Sequence, residues 1–157
     1  MADSAYLHSL KLLARRELSV EGLRARLLDR EYSAAEVDAA IEHLRETGAL
    51  DDARVARAYA RTAAVVKGRG RLRVMRELGA MGIDKQVAAE ALAEVFGEID
   101  ERTLIARALQ KKLRGRTKIG GAAEYARLYQ FLMRQGFSPA GITQALRKLG
   151  GRADSIE

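Results

Sequence analysis

The chain has 157 residues, a net charge of +7, no cysteine, and 48% hydrophobic but only 5% aromatic residues. These figures exclude a disulfide-stapled fold and a thiol nucleophile, and they leave a core to be built from Leu, Ile, Val, Met and Ala. No segment approaches a membrane span, and the opening MADSAYLHSLKLL lacks the basic region and long apolar run of a signal peptide, so a cytoplasmic protein without membrane contact is expected.

Alanine, leucine, arginine and glutamate dominate, and nothing alternates long enough to predict a sheet. In chain order, a first helix is predicted from Ser4 to Arg16, with Leu7, Leu10, Leu13 and Ala14 on one face. Ser19 caps a second helix carrying Leu23, Leu27 and Leu28. Ser33 caps a third, with Val37, Ile41 and Leu44 inward and Gly48 at its end. Asp51 or Asp52 caps a fourth, carrying Val55, Tyr59 and Val66. After the break at Lys67-Gly68-Arg69-Gly70, a fifth helix shows Val74, Leu78 and Met81 and stops at Gly82. Asp84 caps a sixth (Ala88, Ala91, Leu92, Val95), closed by Gly97. Asp100 caps a seventh, with an apolar stripe of Leu104, Ile105, Ala108, Leu109 and Leu113. A basic, glycine-bearing connection from Gly115 to Gly121 leads to an eighth (Tyr125, Leu128, Leu132, Met133), ended by Gly136. Pro139 opens the ninth, with Ile142, Leu146 and Leu149.

These helices fall into a repeat. Leu23, Leu27, Leu28, Tyr32, Ser33 and Val37 recur at identical spacing as Leu128, Leu132, Met133, Phe137, Ser138 and Ile142. Val74, Leu78, Ile83 and Asp84 give a third copy, with Gly79 in the place of Leu28. Self-similarity of this kind marks an array of small units. Ser33, Asp84 and Ser138 stand at N-caps, where a side-chain oxygen satisfies amides left unpaired in the first turn. Glu36 completes a capping box with Ser33, and Pro139 fits the first helical position, which needs no donor. Tyr32 with Val37, and Phe137 with Ile142, have the spacing of hydrophobic staples; Ala88 makes the middle one weaker. The predicted fold is all-α: three tandem three-helix repeats, at 1–50, 51–98 and 99–151, followed by a frayed tail at 152–157. An array offers a long surface, which serves binding more often than catalysis.

The charge is banded. Residues 54–76 hold eight basic and no acidic residues, 77–101 hold seven acidic and one basic, and 102–118 hold seven basic and none acidic. Such banding suits a nucleic-acid backbone or a partner with its own charge pattern. Lys67-Gly68-Arg69-Gly70-Arg71 could offer helix-start amides to a phosphate, with Arg71 and Arg73 adding charge. It lacks the spacing of a P-loop, and a solvated interhelical turn is the alternative. Lys111, Lys112, Arg114, Arg116 and Lys118 form the second run, which could follow a phosphate backbone or an acidic groove, or simply complement a helix C-terminus. Asp51 and Asp52 have no companion ligands for a metal, and His8 and His43 are isolated. No serine has a histidine–acid context. No catalytic constellation, metal site or cofactor is expected. Few Asn or Gln accompany the basic residues, which favours backbone contact over base reading.

Four stretches, LARRELSVEGLRARLLDREY (Leu13–Tyr32), GALDDARVARAYA (Gly48–Ala60), GRGRLRVMRELGAMGI (Gly68–Ile83) and FLMRQGFS (Phe131–Ser138), resemble the RecX family of bacterial regulators of the RecA recombinase. Their order and spacing extend the resemblance from Leu10 to Leu149; Met133 and Gln135 depart from it, being less basic than is usual there. The resemblance implies an elongated, curved arrangement of the repeats. It also implies a monomeric, non-enzymatic inhibitor of RecA that binds the RecA nucleoprotein filament and suppresses its ATPase, strand-exchange and coprotease activities, so modulating DNA repair, recombination and the SOS response. Direct binding to single- or double-stranded DNA is also implied. The candidate contact residues are Arg69, Arg71, Arg73 and Arg76, then Lys111, Lys112, Arg114, Arg116 and Lys118, with Arg24 and Arg26 in addition. A free-standing DNA-binding helical protein is the alternative.

Overall fold

The computed structural model describes residues 3–150; the tail at 152–157 lies outside them. Among the described residues there are nine α-helices and no strand: α1 (Ala5–Arg15), α2 (Val20–Asp29), α3 (Ala34–Glu46), α4 (Asp52–Val65), α5 (Arg71–Ala80), α6 (Lys85–Gly97), α7 (Glu101–Leu113), α8 (Ala122–Gln135) and α9 (Pro139–Lys148). They make three tandem three-helix repeats. Two compact units cut across them: one holds the residues up to Ala58 together with Glu77–Ala91, the other Tyr59–Arg76 together with the residues from Leu92 onward.

The caps form as their chemistry requires. Ser4, Ser19, Ser33 and Ser138 each accept a first-turn amide, Asp84 and Asp100 do the same through a carboxylate, and Ser33 and Glu36 close a full capping box. The acidic pair divides its work. Asp51 caps α4 by accepting from the Ala53 and Arg54 amides, while Asp52 accepts from the Val20 amide at the start of α2 (2.8 Å). Gly97 differs from its expected role: it is the last residue of α6, and its φ is not positive.

In the first repeat Leu18, Leu23, Leu27, Val37, Ile41 and Leu44 form the core. In the third, Phe137, Leu132, Ile105, Ile142 and Leu146 are completely buried. Expected faces on four helices are corrected. On α1 the buried positions are Ala5 and Ser9, backed by Leu12 and Leu13, whereas Leu7 and Leu10 are exposed. Ser9 tolerates burial because its hydroxyl donates to the Ala5 carbonyl (2.7 Å). On α2 and α8 the buried stripe is Leu23/Leu27 and Leu128/Leu132; Leu28 and Met133, one residue further round, are exposed. On α4 the inward residues are Val55 and four alanines, Ala56, Ala60, Ala63 and Ala64, while Val66 lies beyond the helix end and is 71% exposed.

One turn position links the three repeats. Between the second and third helix of each, the chain passes through the left-handed region at Glu31 (φ 67°), Gly82 (φ 77°) and Gly136 (φ 99°). These residues are equivalent, each four residues after a buried leucine of the stripe, Leu27, Leu78 and Leu132. Gly82 and Gly136 each lie against the start of the second helix of the preceding repeat. A Cβ at Gly82 would sit 2.5 Å from the Glu21 Cβ, and one at Gly136 would sit 2.4 Å from the Arg73 backbone nitrogen. The carbonyl just before each glycine is also used in both places. Met81 accepts from the Ser19 hydroxyl (2.7 Å), and Gln135 accepts from the Gly70 amide (2.7 Å). Ser19 and Gly70 are themselves equivalent, each standing four residues before the first buried stripe residue, Leu23 and Val74. Glu31 is exposed, which leaves room for a side chain.

Candidate functional site

The stretch at residues 67–71, which could have offered helix-start amides to a phosphate, has several of those amides turned inward. Lys67 donates to the Thr62 carbonyl (3.2 Å), Arg69 to Ala63 (2.9 Å) and Gly70 to Gln135 (2.7 Å), and just beyond the stretch Leu72 donates to Gly136 (3.1 Å). The positive end of α5 is met by the negative end of α8, so the dipole that would attract an anion is answered from within the fold. Gly70 is glycine for the same reason, since a Cβ there would lie 2.5 Å from the Gly136 carbonyl carbon.

The structure gathers cations elsewhere. The C-terminal end of α4 and the following turn face α7 and α8 across an open groove of about 770 Å³. Lys67 reaches it from the first basic band, and Arg107, Lys111, Lys112 and Arg114 from the second; no acidic residue lines it. Arg107 and Lys111, at i and i+4, share one face of α7, and Arg114 follows just past the helix end to line the same groove. Arg114 closes that helix in the left-handed conformation (φ 50°). The groove is also apolar: Val65, Val66 and Phe131 line it. The Lys112 ammonium lies over the Phe131 ring, 4.4 Å from its centroid. Lys112 and Phe131 also line a second depression of about 460 Å³, where Arg127 and Arg134 contribute from α8.

The remaining predicted residues are dispersed or engaged. Arg24 bonds Asp38 and pairs with Glu21, and its guanidinium is held above the usual arginine range, first by the Asp38 hydrogen bond. Arg26 is exposed on α2. Arg69 donates to the Tyr59 hydroxyl (3.5 Å) and Arg73 to the Gln135 side chain (3.4 Å); both are half-buried. Arg71 and Arg76 on α5 and Lys118 in the loop are exposed but do not line the groove.

Arg116 is clamped. It donates two bonds to Glu124 (2.9 and 2.8 Å), and the Gly120 amide donates a third (2.9 Å). The Arg116 bonds first, and then the Gly120 amide, hold the Glu124 carboxyl below the usual carboxylate range. A carboxylate whose value is depressed on folding contributes stability that is present above its unfolded value, about 4.3. That contribution is lost as the pH falls through the folded value. An NMR titration of Glu124 is expected to give a midpoint below the unfolded one, with the loop at 115–121 loosening only in acid beyond it. A midpoint at or above the unfolded value would mean that the clamp does not form in solution.

Arg107, Arg127 and Arg134 were absent from the candidate residues, and Lys67 entered only as part of the 67–71 stretch. The i, i+4, i+7 spacing of Arg107, Lys111 and Arg114, and the matching spacing of Arg127, Phe131 and Arg134, is the signal that finds most of them.

Comparison with known proteins agrees with the repeat. Family models described as the first, second and third three-helix domains of RecX match residues 5–44, 51–92 and 100–146. The chain belongs to the RecX family. It is 35% identical over 148 residues to the regulatory protein RecX of Pelodictyon phaeoclathratiforme, covering 94% of this chain and 90% of that one. It is 32% identical over 154 residues to the regulatory protein RecX of Geobacillus kaustophilus, covering 98% of this chain but 56% of that longer one. The crystal structure of RecX from Lactobacillus salivarius shares the fold, with a TM-score of 0.78 at 19% identity over 93% of this chain and 94% of that one. RecX relatives are thus named regulatory proteins, and a regulatory role is the coarse function that membership supports. No described helix is long and apolar enough to cross a membrane.

Proposed function

We propose that this chain binds the RecA–DNA filament and inhibits the ATPase, recombinase and coprotease activities of RecA, without catalysing a reaction of its own. In this reading it acts as a cytoplasmic monomer, with its repeats divided at 50/51 and 98/99, and it modulates DNA repair and the SOS response. Membership of the family of RecX regulatory proteins supports the partner. The observation that supports the surface is the groove where Lys67, Arg107, Lys111, Lys112 and Arg114 converge without an acidic residue. Five cations gathered around one groove raise the local positive potential and draw in an anionic partner. Arg71 and Arg76, exposed on α5, would add to a contact extending beyond the groove.

The test is RecA ATP hydrolysis on single-stranded DNA, titrated with the protein. Substoichiometric amounts are expected to lower turnover. Lys111→Glu/Arg114→Glu is expected to raise the concentration needed by at least about tenfold, the equivalent of roughly 1.4 kcal/mol, while leaving the melting temperature nearly unchanged because both side chains are exposed. Unchanged turnover at equimolar parent protein and RecA would refute the reading. The second reading, a free-standing DNA-binding protein, is favoured by the same cations. It predicts retention of bare duplex at physiological salt, with a log–log salt slope of about 0.9 per phosphate neutralised.

A further inference from the structure

We infer that the groove between the end of α4 and helices α7 and α8 is a protein-docking site that takes an acidic segment bearing an aliphatic side chain, rather than a phosphate backbone. The inference rests on the reading above, in which the partner is a nucleoprotein filament, and it assigns this groove to the protein component.

Charge complementarity fixes the first half of the occupant's chemistry. Five cations and no carboxylate line the groove, so an anionic partner is required. The apolar residues fix the second half. Val65 and Val66, 54% and 71% exposed, are the most exposed large hydrophobic side chains among the described residues, and both line this groove. They gain nothing from a phosphate backbone, which offers no apolar surface, whereas a protein segment covers them with aliphatic carbon. Nor do they serve the helix: Val65, its last residue, is a weak helix former, and Val66 lies beyond its end.

Single-stranded nucleic acid would use an aromatic platform instead, since bases stack on open ring faces. The one aromatic side chain in the groove is Phe131, which is half-buried and has the Lys112 ammonium over its ring at 4.4 Å. A ring face so occupied is closed to a base. The same contact sets the Lys112 charge beside an apolar ring at the groove, an arrangement suited to a carboxylate flanking an aliphatic anchor.

The experiment uses the full chain and the double variant Val65→Ser/Val66→Ser, which leaves every charge in place and alters only exposed side chains. Binding is measured by anisotropy to four probes: RecA filaments on labelled single-stranded DNA, the same DNA bare, a labelled peptide of alternating glutamate and leucine, and its glutamate–serine counterpart. The variant is expected to melt like the parent, to bind filaments about tenfold more weakly, as loss of an apolar anchor does, and to bind bare DNA as the parent does. The parent is expected to prefer the leucine peptide to the serine peptide, and the variant to lose that preference. Unchanged filament binding, or an equal loss on bare DNA, would overturn the inference. If the parent ignores filaments yet shows the leucine preference, the RecA reading falls and the docking chemistry stands. If it shows neither, both fall.

Discussion

Phe137→Ala is expected to lower the unfolding free energy by about 3–5 kcal/mol, and the melting temperature by about 6–20 °C for a domain of this size. Phe137 is wholly buried, and it is the largest side chain with no exposure in the molecule's described part. It belongs to one buried cluster with Leu104, Ile105, Leu132, Ile142 and Leu146, so its removal leaves a void in that core. Its repeat partner behaves differently. Tyr32 is only half-buried, and its hydroxyl donates to the Asp3 carbonyl (2.8 Å). Tyr32→Ala is expected to cost about 1–3 kcal/mol, chiefly through that bond and partial burial. Chemical denaturation of both variants checks the order; equal losses would mean that the two staples are energetically equivalent after all.

Gly136→Ala is expected to cost about 2–5 kcal/mol, the sum of left-handed strain and a forced backbone shift. The added Cβ would lie 2.4 Å from the Arg73 backbone nitrogen and from the Arg73 Cβ. Relieving that overlap moves α8 away from α5 and breaks the bonds from Gly70 to Gln135 and from Leu72 to Gly136. Gly115→Ala is the control. Gly115 also has a positive φ, 88°, but nothing lies within 4 Å of the position a Cβ would take. It is expected to lose only the conformational part, about 1–2 kcal/mol. Thermal melts of the two variants therefore separate strain from collision, and equal shifts would show that the α5–α8 junction is not close in solution.

Much of the fold was legible because its punctuation is local. Ser33 with Glu36, Ser138 with Pro139, and the staple residues each act within one turn, so spacing alone reveals them. The face of α1 was misread because Ser9 counts as polar, and its bond to the Ala5 carbonyl is invisible without coordinates. The 67–71 stretch was hard to read for a related reason: the Gly70 amide could have been open at the helix start, but its acceptor, Gln135, is 65 residues away in sequence. The groove could not be read at all from charge blocks. It exists only where the end of α4 comes beside α7 and α8, and that meeting places Lys67 near residues of the other band.

The left-handed turn position carries a consequence for how such chains can be rearranged. Glycine at 82 and 136 records that another repeat's helix start rests on the turn; Glu31 records a turn on which none rests. Repeats are therefore not interchangeable modules. A permuted gene that placed the first repeat after another would bring a helix start down onto the Glu31 side chain, and would need Glu31→Gly before the pieces could join.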